Sequence, residues 1–188
     1  MLLVAGVLLW SLAHLSIALT PQVRARLVAG LGLVPYKLAF SLVLVLALVM
    51  IVAGWRDAGV SSLWVPPAGM RHLTLLLVPI AVVLFLSARM PTDIKQLIRH
   101  PQLTGVKLWA VAHLLANGEV RSIILFGGLL AWAVAEVIVI NRREGARRKP
   151  PRVGMLKSLL SAAAGLVVAA LLLFAHPWIA GIPVMTHG

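Results

Sequence analysis

Six apolar runs, separated by short polar or proline-bearing stretches, divide the chain. The first extends from about Leu2 to Leu19 and ends at Thr20-Pro21, a helix cap followed by a favourable first-turn residue. A short helix is predicted from Pro21 to Gly30, where Val23, Leu27 and Val28 alternate with Arg24 and Arg26, a pattern suited to a membrane surface. The second run covers Pro35 to Gly54 and is mostly Leu and Val. A loop follows from Trp55 to Gly69, because Trp64-Val65-Pro66-Pro67 cannot stay helical. Trp55 and Trp64 suit an interfacial aromatic belt. The third run is Met70 to Ala88, with Pro79 as a kink position. From Pro91 to His100, Ile94, Leu97 and Ile98 oppose Lys95, Gln96 and Arg99, which predicts a second surface helix. The fourth run is short, Leu103 to Ala116, and turns at Asn117-Gly118-Glu119 into the fifth, Arg121 to Ile140. The polar linker Asn141 to Arg152, NRREGARRKPPR, predicts a mobile loop before the sixth run, Met155 to Ala175. Small residues recur on the fifth run (Gly127 or Gly128, Ala131, Ala135) and on the sixth (Ser161, Gly165, Ala169), as close helix contact in lipid requires.

These runs reach or approach the roughly 20 residues that cross a bilayer. The expected fold is therefore all-α, a bundle of six transmembrane helices plus two short interfacial helices, with residues 1–188 forming one domain. Composition agrees: 61% of residues are hydrophobic and mean hydropathy is +1.02. The first run lacks a basic leader and carries Trp10 and His14, so it reads as a retained helix and not a cleaved signal. Lys and Arg number 17 against 5 Asp and Glu. They cluster between apolar runs without interleaved aromatics, which fits orientation in a membrane and not nucleic-acid binding. Alternate loops carry 13 basic residues on one side and 3 on the other (Arg56, Arg71, Arg121), with Lys107 inside a run. That bias predicts external termini and a cytoplasmic 141–152 loop. The chain has no cysteine, which excludes disulfides, thiolate metal sites and covalently attached haem.

Candidate chemistry lies within the runs. His14 sits about 9 Å and His113 about 18 Å above the basic side, well inside the hydrocarbon. Each has Trp four residues before it (Trp10, Trp109) and Ala immediately before it. A buried imidazole can simply hydrogen-bond to a neighbouring helix, or it can ligate a metal or haem. Lys107 and Glu136 lie in adjacent antiparallel runs, where they predict an ion pair joining two helices. His72 and His176 fall at external run ends and His187 in the tail, as interfacial residues. His72 and His176 are also alternative partners for His113 should His14 lie at the wrong depth. Arg99-His100-Pro101 with Gly105 resembles the cofactor motif of membrane methyltransferases of the isoprenylcysteine type. The C-terminal motif those enzymes need is missing, so a headgroup-layer role is expected.

An ordered series of motifs runs almost end to end. It includes His14, Pro35-Tyr36, Phe40-Ser41, Leu63-Trp64-Val65-Pro66-Pro67, Arg71-His72, Arg99-His100-Pro101, Gly105-Val106-Lys107-Leu108-Trp109-Ala110, Ala112 to Gly118, Phe126-Gly127, Ala131-Trp132 and His176-Pro177-Trp178. This series resembles the NnrU family of bacterial membrane proteins and, through WAVAH, the related zeta-carotene isomerases. The resemblance implies an inner-membrane protein associated with nitric-oxide and nitrite metabolism. It also implies non-covalent haem b between His14 and His113, walled by Trp10, Trp109 and Ala110. The isomerases carry a cysteine where this chain has Ala110, so haem binding transfers more readily than isomerisation of a polyene. A cofactor-free scaffold is the remaining alternative. The partners expected are membrane lipids and, for an enzyme, a lipophilic small molecule.

Overall fold

A computed structural model describes residues 1–181 and Val184. His187, read above as a tail residue, lies outside them. The described residues are almost entirely helical: α1 (Leu2–Leu19), α2 (Pro21–Leu31), α3 (Leu33–Asp57), α4 (Met70–Ser87), α5 (Ile94–Leu97), α6 (Pro101–Ala116), α7 (Val120–Glu144) and α8 (Met155–Ala180). Five of them, α1, α3, α4, α7 and α8, are long and apolar enough to cross a membrane. At 16 residues, α6 is shorter than these.

Side-chain and backbone contacts fix how the helices run. Gly54 of α3 lies against Leu3 of α1, so this pair is antiparallel. Thr74 Oγ1 donates to the Ala112 carbonyl at 2.6 Å, pairing α4 with α6 antiparallel. Gly128 lies beside Val7, and Arg143 donates to the Ala18 carbonyl at 3.2 Å, so α1 and α7 run parallel. The predicted small face of α8 packs on α4. Ser161, Gly165 and Ala169 are its buried residues, with Gly165 beside Val83 and Ser161 Oγ donating to the Pro91 carbonyl at 2.7 Å. On α7 the buried positions are Arg121, Ser122, Leu125, Phe126, Trp132, Ala133 and Glu136, whereas Ala131 is exposed. The order across the bundle is thus α3, α1, α7, α6, α4, α8. The end of α8 returns to α3 where Trp55 Nε1 donates to the Ala180 carbonyl at 3.1 Å.

Local chemistry explains the departures from expectation. The second surface helix shrinks to one turn, Ile94–Leu97. Arg147 donates to the carbonyls of Lys95 and Leu97 where the helix stops, and Pro101, which has no N–H to continue the ladder, keeps His100 out of the helical region. The linker after α7 is a strap and not a free loop. Arg99 reaches the Gly145 carbonyl, Gln96 the Pro150 carbonyl, and Asp93 accepts from the N–H groups of Val153 and Gly154. Trp55 is buried and not in a belt: Arg121 lies over its ring at 4.5 Å and Phe126 packs on it at 6.0 Å. α8 continues through Pro177 to Ala180.

The turn between α6 and α7 is latched to the 58–69 loop. Leu63 and Trp64 donate to the Gly118 carbonyl, and Val120 donates to the Ser61 carbonyl. A β-carbon on residue 118 would collide with the Trp64 carbonyl, so only glycine fits.

Candidate functional site

Two aromatic boxes, each holding one histidine, lie along α7. In the first, His14 packs on Trp10 (4.5 Å), Trp132 (5.0 Å) and Phe40 (5.9 Å). In the second, His113 stacks on Phe126 (4.5 Å, 25° between planes) and packs on Trp109 (4.9 Å). Ala110, one turn before His113, is fully buried in the adjoining core. The sequence repeat of Trp four residues before His thus becomes a geometric repeat.

The hydrogen bonds repeat as well. Nδ1 of His14 lies 3.0 Å from the Trp10 carbonyl, and Nδ1 of His113 lies 2.8 Å from the Trp109 carbonyl. A carbonyl can only accept, so each neutral ring carries its proton on Nδ1 and leaves the Nε2 lone pair available. That is the arrangement of a metal-binding histidine whose far nitrogen is fixed by the backbone. Around His14, the buried Trp10 Nε1, Trp132 Nε1 and Glu136 Oε2 have no hydrogen-bond partner. Around His113, α7 is wound as a π segment over Ile123–Gly127, a feature often found at functional positions.

The slot expected between α1 and α6 has α7 as a shared wall. α7 stands between those helices, giving Trp132 to His14 and Phe126 to His113. These two residues are six positions apart, about 9 Å along the helix, so the depth offset anticipated from the sequence persists. His176 lies near the end of α8. His72 is exposed, and His100 is hydrogen-bonded to Asn141 at 2.9 Å. Among the described residues no cluster of three or more His, Cys, Asp or Glu could hold a metal ion. A haem iron takes at most two protein ligands and does not require one.

The expected Lys107–Glu136 ion pair is not formed; the ion pairs among the described residues are Arg99–Glu144, Arg121–Glu119 and Arg143–Glu144. Counted from the Gly118 turn, Glu136 lies seven residues deeper than Lys107, about 10 Å. Glu136 lies against Trp132 instead. Stability changes from Lys107→Leu and Glu136→Leu should therefore add within about 0.5 kcal/mol in a double-mutant cycle. A coupling well above that would restore the pair.

Sequence reasoning missed Phe126 and Trp132 as walls of the two boxes, and missed Trp55 and Phe40 beside them. The signal available was Phe126 followed six residues later by Trp132, two aromatics on the helix that follows WAVAH.

An all-α bundle with five helices of membrane-crossing length and histidines boxed in its interior defines the class, a polytopic helical membrane protein. The family model described as NnrU protein matches residues 2–184, nearly the whole chain. The chain belongs to the NnrU family. No curated protein matches it, and neither does any solved structure.

Proposed function

We propose that this chain is a six-span protein of the bacterial inner membrane that holds one haem b through His113 and serves nitric-oxide or nitrite metabolism in a redox, sensing or assembly role. The observation that carries this reading is the locked Nδ1–H of His113, which leaves Nε2 free inside an aromatic box beside a π segment. When bound, haem would supply one-electron chemistry. The chain's own residues do the rest. Trp109 fixes the tautomer, and Trp55 and Phe126 keep the region apolar. The resemblance to haem-holding isomerases supports the cofactor more than their reaction, because Ala110 replaces their cysteine. The test is to purify the full chain from cells with ample haem. One b-type haem per chain is expected, and a colourless protein would reject the reading.

Two histidines compete to be the second residue that would hold the haem. His14 shares the chemistry of His113, namely the locked Nδ1 and the Trp-walled box. His176 lies on α8, and α4 stands between that helix and α6 in the bundle. The shared chemistry governs, and we favour His14.

The sixth span in this reading is α6. Its 16 residues extend about 24 Å, enough for a locally thinned bilayer. With 13 basic residues on one side, both termini are external and the 141–152 strap is cytoplasmic. A reporter fused after Gly188 should be active only outside the membrane; activity in the cytoplasm would refute this topology.

A further inference from the structure

Where the strap crosses α5, a cavity of about 560 Å³ is lined by Lys95, Arg99, His100, Glu144, Arg147 and Arg148, among others. A second cavity of about 300 Å³ shares Lys95, Arg99, His100 and Ile140, and adds Ala88 and Leu103, which with Ile140 form an apolar wall. From this pairing we infer a binding site for a phosphate-bearing anion, with the phosphate in the basic cavity and apolar chain along the second. The chemistry is that of an anionic phospholipid.

The charge balance points to the anion. Four Lys and Arg side chains line the first cavity against one carboxylate, Glu144. That carboxylate is already shared between Arg99 and Arg143, each at 3.3 Å. The arginines are held by neutral acceptors. Arg147 donates to the carbonyls of Leu97 (2.9 Å) and Lys95 (2.6 Å), and Arg99 donates to that of Gly145 (2.8 Å). Carbonyl bonds fix a guanidinium in place without cancelling its charge, so the cavity is built and remains positive. The second cavity is also lined by Pro101 and Gln102 in the first turn of α6, a helix with no side-chain cap, where the dipole is positive. A free phosphate would satisfy the first cavity alone. The adjoining apolar wall favours a headgroup that brings its own chain. The volume of the first cavity is within the roughly 300–1,000 Å³ common for small-molecule sites.

The Arg-His-Pro motif acquires a role on this reading: Arg99 and His100 line both cavities and Pro101 starts the helix beneath them. The probe is native mass spectrometry of the full chain titrated with phosphatidylglycerol, phosphatidylcholine or sn-glycerol 3-phosphate. Lys95 and Arg148 are the safe positions to change, since Lys95 makes only a long 3.4 Å bond to the Ala88 carbonyl and Arg148 is exposed. The double variant K95Q/R148Q should bind phosphatidylglycerol about tenfold more weakly or worse. K149Q/R152Q removes the same charge from the strap outside the cavity lining and should stay within about twofold. Glycerol 3-phosphate binding as tightly as the lipid would assign the site to a soluble phosphate and leave its chemistry intact. Equal weakening in both double variants would overturn the site. So would phosphatidylglycerol binding no better than phosphatidylcholine while glycerol 3-phosphate fails to bind.

Discussion

Gly54→Ala should destabilise the bundle by about 3 kcal/mol or more, at the upper end for overpacked contacts. A β-carbon there would run into the backbone nitrogen of Leu3 and lie 2.7 Å from its α-carbon. These are backbone atoms, so no rotamer change relieves the clash and α1 must move as a body. Because α1 carries Trp10 and His14 and packs on α7 through Val7 and Gly128, that movement would also disturb the first histidine box. Gly30→Ala is the matched control. Nothing lies within 4 Å of its added carbon, and loss of backbone freedom in the unfolded chain should make it stabilising by about 0.5–1 kcal/mol. Reversible unfolding in mixed micelles measures both. A Gly54→Ala protein as stable as the parent would mean that the α1–α3 crossing is looser than described.

The second large effect concerns the histidines. His113→Ala should lose more than about nine-tenths of the bound haem, because it removes the ligand whose Nε2 is held ready. His14→Ala should retain haem but turn its spectrum from low-spin to high-spin, because His14 carries the same locked Nδ1 as His113. His176→Ala should leave the bands unchanged, since α4 lies between α8 and α6. Should His176→Ala go high-spin and His14→Ala stay low-spin, the second ligand is His176.

Much of the fold was legible because apolar runs and their punctuation are local signals. Thr20-Pro21 ends α1, Gly69 starts α4, and the Ser161, Gly165 and Ala169 stripe lies at a helical spacing that reports its contact face directly. Features set by distant partners were not legible. Nothing near Trp55 in the chain says that Arg121 will cover it. Nothing near Lys95 says that Arg147 will take its carbonyl and stop the helix. The Lys107–Glu136 pairing failed for the same reason. Depth counted from the basic side assumed that both helices end together, whereas α6 has 16 residues and α7 has 25. At the candidate site, the backbone lock on each histidine was legible, since a carbonyl one turn back is always present in a helix. The intervention of α7 was not, because the order of helices in a bundle is not written in any one of them.

The central claim is that His113 holds a haem in this membrane protein. Its most direct test is the haem content of the purified full chain, measured as the pyridine haemochrome per protein, for the parent and for His113→Ala. The account predicts close to one haem b per parent chain and almost none in the variant, with the variant still folded and inserted. Equal haem content in the two proteins would contradict it.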